Sequence, residues 1–302
     1  MNVIEINNIS KTFENNVKAL SNLSLQIPEG STFGFFGPNG AGKTTTIRLA
    51  NGILTPTDGE VKIFGKDIKT DKQEINRMCG VLTESASLYE GLTANENLAF
   101  FSELYNLDKQ LSKKRAYELL EFLGLLDAAD RKVKTYSTGM KKRLSLAISL
   151  LHNPKLLYLD EPTNGLDPES SKNVYEFIKS SVKNERITVF LCTHQLRYAE
   201  DLCDLYGFID NGKLIEFGSY SDILSKMNIK KHLLIRGRNI DSSLGYEKTD
   251  KGLYKKPILN DEDASKSIQD IIKKGGEIFE ANQKQLTLEE LYFLINKGNN
   301  NE

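Results

Sequence analysis

The run Gly37-Pro38-Asn39-Gly40-Ala41-Gly42-Lys43-Thr44-Thr45 fits the pattern G-x-x-x-x-G-K-[ST]. Glycines let backbone N–H groups close around a polyphosphate, and a helix starting at about Lys43 turns its positive end to the same anion. Lys43 can reach the β and γ phosphates, and the Thr44 hydroxyl can ligate Mg²⁺. Chance alone gives this pattern in only about one such chain in a hundred. A second run, Leu156 to Leu159, is apolar and ends in Asp160-Glu161. A strand there holds Asp160 at the carboxyl edge of a sheet, where Mg²⁺ is its expected partner, directly or through water. Glu161 should then point to the γ-phosphate, where an attacking water needs a base. Tyr136-Ser137-Thr138-Gly139-Met140 precedes this run and Gly165-Leu166-Asp167 follows it.

The elements that must hold these groups can be read from periodicity. Thr32 to Phe36 is a short apolar strand feeding the glycine loop. Alternation at Val3 to Ile6 and at Leu20, Leu23, Leu25 and Ile27 reads as antiparallel strands, with Gly59 to Gly65 an edge strand. Cys79 to Thr83 reads as a buried strand, and Leu156 to Leu159, Ile187 to Cys192 and Leu205 to Ile209 read as core parallel strands. Asp210-Asn211-Gly212 is a hairpin turn leading into Lys213 to Phe217. From about 85 to 154 the pattern is helical. Thr93-Ala94-Asn95-Glu96 forms a capping box, Ser112 caps a second helix ending near Gly124, and a third runs from about Gly139 to His152. Beyond 225 come short strands at Leu233 to Ile235, Lys256 to Leu259 and Glu277 to Phe279. A helix lies at about Asp263 to Lys274, and Thr287 caps a last one. The expected division is 1–225, 226–297 and a disordered tail 298–302.

Bulk properties narrow the class. The 302 residues are 39% hydrophobic and 27% charged, as in an ordinary globular protein, and the net charge of −1 argues against a dedicated nucleic-acid binder. No apolar stretch approaches the roughly 20 residues of a membrane span, and Met1 to Ile6 lacks a signal-peptide layout. Cys79, Cys192 and Cys203 have no C-x-x-C spacing, which fits reduced thiols in the cytosol. His152 and His232 read as surface or structural residues.

Taken in order and spacing, these motifs resemble the ATP-binding subunit of an ABC transporter over about residues 1–225. The resemblance implies an α/β P-loop NTPase of ABC type: a mostly parallel core sheet, an antiparallel β wing and a helical subdomain, here with a small C-terminal α+β appendage. It implies ATP and Mg²⁺ as ligands. Phe13 stands where the family stacks an aromatic ring on adenine. Ser137-Thr138-Gly139-Met140 stands at the family's signature, usually Leu-Ser-Gly-Gly-Gln, whose Ser and second Gly contact the γ-phosphate held by another protomer. Asp167 matches a loop that crosses the dimer interface, and His194, after the strand ending at Cys192, matches a γ-phosphate contact. Glu84 stands where the family usually has Gln near Mg²⁺ and the attacking water, so it is a candidate for both metal and catalytic roles. Leu82 to Thr93 and the ending Thr287 to Phe293 resemble exporters of drugs, antibiotics, sodium or polysaccharide whose membrane subunit is a separate protein. The implied partners are a second ATPase subunit, expected to be a second copy, and a polytopic permease that would hold the chain on the cytoplasmic face of the membrane. Tyr89, Phe100 and Phe101 are candidates for docking that permease, with core packing the expected role of the two Phe residues. The alternatives are an importer ATPase or a non-transport ABC-type ATPase.

Overall fold

A computed structural model describes residues 1–14, 16–83, 88–249, 252–284 and 286–299. The chain divides into two compact units, Met1–Ser219 and Tyr220–Glu302. The expected boundary at 225 thus moves to the far side of a short helix.

The first unit opens with β1 (Asn2–Thr12) and β2 (Lys18–Pro28), an antiparallel pair, then β3 (Thr32–Phe36) and α1 (Lys43–Ala50). β4 (Asp58–Ile63) and β5 (Lys66–Asp67) follow, then α2 (Lys72–Met78) and β6 (Cys79–Leu82). The helices α3 (Ala94–Leu104), α4 (Lys109–Phe122) and α5 (Thr138–Leu150) lie between β6 and β7 (Leu156–Asp160). α6 (Pro168–Glu185), β8 (Thr188–Cys192), α7 (Leu196–Leu202), β9 (Leu205–Asp210) and β10 (Lys213–Gly218) complete it.

Among the described residues these strands make two sheets, ordered β2-β1-β4-β5 and β10-β9-β3-β8-β7-β6. The first is antiparallel; in the second, only β10 runs against its neighbour. β3, β7 and β8 are buried at every position, which is why they read as unbroken apolar runs and not as alternation. Phe33, Phe35 and Phe190 fill the core with ring centroids 4.9 to 5.6 Å apart. Asn211 and Gly212 both have positive φ, 46° and 74°, as the hairpin between β9 and β10 requires.

Two expectations need correction here. β4 is not an edge strand, because the chain turns at Phe64-Gly65 and lays β5 alongside it. Ser112 does not cap α4; it is buried inside the helix. Asp108 takes the cap because its carboxylate accepts from both Gln110 and Leu111 N–H at 2.9 Å. The capping box on α3 forms as expected, with Thr93 and Glu96 exchanging bonds of 3.1 and 2.7 Å.

The second unit holds α8 (Tyr220–Lys226), β11 (Lys231–Arg238), β12 (Glu247–Lys248), β13 (Tyr254–Ile258), α9 (Asp261–Lys273), β14 (Glu277–Lys284) and α10 (Leu288–Asn299). Its sheet order is β12-β13-β11-β14, with β11 antiparallel to both β13 and β14. The β13-α9-β14 crossover is therefore a split βαβ, with β11 inserted between its two parallel strands. Leu233, Ile235, Ile258, Ala264 and Ile271 form its core. Thr287 and Glu290 cap α10 reciprocally at 3.2 and 2.8 Å. α10 takes in Gly298 and Asn299, which the sequence places in the tail; residues 300–302 lie outside the described residues.

Candidate functional site

A cavity of about 390 Å³ opens at the carboxyl ends of β3, β7 and β8. Asn39, Gly40 and residues 42–45 line one side, and Asp160, Glu161, Asn164 and His194 line the other. The loop's shape depends on two glycines. Gly42 has φ +111°, and a Cβ there would meet Leu20 Cδ2 at 2.6 Å and the Ala19 carbonyl at 2.9 Å. A Cβ on Gly37 would lie 2.2 Å from the Ile209 carbonyl. The hairpin after β9 braces the loop from a distance in sequence, since Gly212 N–H donates to the Ala41 carbonyl at 3.0 Å. α1 starts with no acidic side chain in its first turn, which leaves its positive end to an anion. Lys43 is curled onto its own loop, donating to the carbonyls of Gly37 at 2.7 Å and Pro38 at 3.0 Å.

Asp160 ends β7 and is 4% exposed. Glu161 follows with φ +51°, left-handed for a residue with a side chain, and its N–H donates to the Cys192 carbonyl at 2.9 Å. This turn re-aims the carboxylate out of the sheet and toward the cavity. His194 Nδ1 lies 2.9 Å from Glu161 Oε2, and the His194 backbone N–H donates to the same oxygen at 3.4 Å. The two residues thus meet as a pair. Burial first, then the neighbouring Asp160 charge, pushes the Cys192 thiol well up, with Lys43 opposing.

A supporting shell escaped the sequence reading. Tyr175 on α6 places its hydroxyl 3.3 Å from Thr163 Oγ1 and 3.1 Å from Thr193 Oγ1. It joins the turn after Glu161 to the turn before His194, and stacks on Tyr198 at 4.7 Å. Asn164 was also missed; its only signal is its place in the polar turn between Glu161 and Asp167.

Other expected site residues lie apart from this cavity. Ser137 is the N-cap of α5, accepting from Met140 N–H at 3.3 Å; Ser137 and Thr138 are exposed, and Gly139 and Met140 half-buried. Gly139 has so little room that a Cβ would stand 3.1 Å from Leu166 Cδ2. The signature turn therefore rests against the segment leading to Asp167. Asp167 is exposed and caps α6 through Ser170 N–H at 2.9 Å, and the Ser170 donors hold its carboxyl below the usual range. Phe13 is 38% exposed with Lys11 Nζ 5.5 Å from its ring centre. None of these residues lines the cavity. Glu84 lies outside the described residues.

Phe100 and Phe101 correct the core-packing expectation. Phe100 is 40% exposed and Phe101 half-buried. With Tyr89, 48% exposed, they form an edge-to-face aromatic cluster on the surface, Tyr89 to Phe100 being 4.7 Å and Phe100 to Phe101 5.4 Å. His152 is structural as expected: it stacks on Tyr105 at 4.0 Å and bonds the Cys79 carbonyl at 3.0 Å.

Residues 20–164 match the family model described as ABC transporter. The chain is 36% identical to the linearmycin resistance ATP-binding protein LnrL of Bacillus subtilis, over 74% of this chain and 72% of that protein. The chain belongs to the ATP-binding subunits of ABC transporters. It is also 40% identical to the bacitracin transport ATP-binding protein BcrA of Bacillus licheniformis, over 76% and 73% of the two chains. Its 32% identity to the ABC transporter ATP-binding protein YxlF of Bacillus subtilis spans 97% of this chain and 99% of YxlF, so that match takes in the second unit as well. Among solved structures it is similar to the ATP binding subunit of an ABC transporter (TM-score 0.70, 26% identity, 75% of this chain, 94% of that one). It is also similar to a dimeric post-hydrolysis ATP-binding cassette, MJ0796, bound to ADP and Pi (TM-score 0.67, 26% identity, 72% and 98%). As an ABC ATPase the chain binds and hydrolyses ATP and is the motor subunit of a transporter. No helix among the described residues is long and apolar enough to cross a membrane.

Proposed function

We propose that the chain powers export through a separate membrane permease, and that its ATP sites are completed only between two copies. The observation that carries the second point is the separation of phosphate-binding elements. Lys43, Thr44, Asp160, Glu161 and His194 share one cavity, whereas the turn Ser137 to Met140, exposed at Ser137 and Thr138, takes no part in lining it. In the closed pair each ATP lies between one copy's Gly37 to Thr45 loop and the partner's Ser137 and Gly139. The similarity to a dimeric cassette supports this arrangement.

The residues present fit Mg²⁺, because Thr44 and Asp160 offer hard oxygen donors beside a loop built for phosphates. When bound, the ion neutralises charge on the phosphate oxygens. Lys43 exchanges its loop carbonyls for the phosphates. Glu161 takes the proton of the attacking water, and His194, already bonded to that carboxylate, orients it. Phe13 offers a ring for adenine. Glu84, by its place in the sequence alone, would be the candidate for a second carboxylate toward the metal and water.

Export is favoured by the relatives named for linearmycin resistance and bacitracin transport. The surface cluster of Tyr89, Phe100 and Phe101 suits a permease contact and would place the chain at the cytoplasmic face of the membrane. Trans-complementation tests the composite site. Lys43→Ala and Ser137→Ala chains should each be nearly inactive alone, while an equimolar mixture regains hydrolysis at sites pairing an intact loop with an intact Ser137. A mixture no more active than its components would overturn the proposal.

A further inference from the structure

A second cavity, of about 440 Å³, opens at the other end of the core sheet. It borders the residues that lead into β7 and β8, whereas the cavity of Asp160 and His194 lies past their carboxyl ends, roughly 16 Å away along a five-residue strand. Three cations converge on it from separate elements: Arg115 from α4, Lys155 from the turn before β7, and Arg186 from the end of α6. Glu29 is the one carboxylate among the described lining residues. Convergence across the fold sets this group apart from a charged helix face, whose members recur every third or fourth residue. Asn153, also in the lining, and Arg186 have φ of 51° and 52°, left-handed for residues with side chains. Arg186 ends α6 where Gly or Asn is the ordinary choice. Lys155 is fixed on both sides: its N–H donates to the Met78 carbonyl at 2.8 Å, and its carbonyl accepts from Thr188 N–H at 3.0 Å. Neither Lys155 nor Arg186 has an ion-pair partner among the described residues.

Three cations against one carboxylate select an anion with more than one charge. A guanidinium fork bonds two oxygens of a phosphate at once, and a lysine adds a point charge. Glu29 repels that phosphate, but its carboxylate accepts hydrogen bonds from hydroxyl groups, and the Asn153 amide can donate or accept. No described lining residue is aromatic, so a nucleobase would have nothing to stack on. The volume lies in the ordinary range of small-molecule sites. We propose that this cavity binds a small phosphorylated, hydroxyl-bearing molecule of the sugar-phosphate class. Its phosphate lies among Arg115, Lys155 and Arg186, and a hydroxyl meets Glu29. The ligand ties α4 to the starts of β7 and β8 and stabilises the first unit by mass action. The site stands apart from the composite-site reading, because no residue lines both cavities.

The test uses the full chain saturated with Mg²⁺ and ADP, so that the Gly37 to Thr45 loop is already filled. Calorimetric titration with glucose 6-phosphate should reveal a further site on each chain, weakened by added salt. Inorganic phosphate should compete for it, and glucose should not. Combining Lys155→Met with Arg186→Gly should lower the affinity for glucose 6-phosphate about tenfold or more, the scale of a lost charged hydrogen bond. Glycine suits the φ of Arg186, so the thermal midpoint without ligand should hold. Lys43→Ala should leave this binding unchanged. No binding of glucose 6-phosphate to the ADP-loaded chain overturns the proposal. So does equal affinity in the wild-type chain and the double variant, or loss of binding in Lys43→Ala. If the double variant does not fold, Glu29→Gln decides: affinity for inorganic phosphate should rise about threefold as the opposing charge goes, and no rise overturns the proposal. Sedimentation with phosphatidylglycerol vesicles separates a free phosphate from a lipid headgroup. Binding to vesicles without binding of glucose 6-phosphate would assign the cations to a lipid surface and overturn the proposal as well.

Discussion

The two regions proposed to contact the phosphates of ATP are built in opposite ways. The loop from Gly37 to Thr45 is set into a buried parallel sheet, and its groups already engage each other: Lys43 with loop carbonyls, Glu161 with His194. The Ser137 turn stands at the exposed start of a helix in the three-helix insertion, and among the described residues its hydroxyl meets its own helix's backbone. The first region must exchange internal bonds for ligand bonds, whereas the second needs only to be brought to a ligand. On the proposed composite site, ATP loads onto the first region alone, and the second decides when the loaded site can act.

The largest expected effect tests the loaded side. Glu161→Gln should lower turnover by about 10²- to 10⁴-fold while leaving ATP binding intact, as phosphate release and nucleotide titration would show. Near-normal turnover would remove Glu161 as the base. Lys43→Ala should weaken ATP affinity itself, by roughly 10- to 100-fold for lost charge-assisted bonds; unchanged affinity would mean that Lys43 stays on its loop carbonyls. Ser137→Ala should leave single-chain affinity alone, remove a helix cap worth about 1 kcal/mol, and reduce turnover about tenfold or more. If it weakened ATP binding to a single chain, the contrast between the two regions would collapse. Phe100→Ser should change stability by no more than about 0.5 kcal/mol and leave permease-free ATPase activity unchanged, yet reduce co-purification with the permease. The smallest effect concerns Asp167, whose pKa the Ser170 donors lower from 3.8. Its stabilising cap is whole above that ordinary value and fades as pH falls through the lowered one. Asp167→Asn should flatten that part of an acid-unfolding curve.

The loaded side was the more legible in sequence, because backbone geometry there demands particular residues. Gly42 sits at a φ few other residues adopt, and Asp160 ends a strand that shows as an apolar run. The Tyr175 bridge was not legible, since a tyrosine on a helix announces no partner until the fold brings Thr163 and Thr193 to it. The cations Arg115, Lys155 and Arg186 were hidden for the same reason: they share a cavity but stand far apart in sequence. Phe100 and Phe101 misled because an apolar pair on a helix ordinarily packs inward, and here the cluster faces out. Asp108 took the cap from Ser112 because both fit the helix start by type, and only the backbone could choose.

The order β10-β9-β3-β8-β7-β6 has a consequence for synthesis of the chain. Both neighbours of β3 come from beyond residue 187, and the brace on Ala41 comes from Gly212. The loop that holds ATP leaves the ribosome early but lacks its flanking strands until most of the first unit has been made. At about 5–20 residues per second that interval is on the order of 10–30 s. Throughout it, an apolar strand waits with both edges unpaired. A truncated or stalled chain that already contains every glycine of the loop would still be unable to hold the nucleotide.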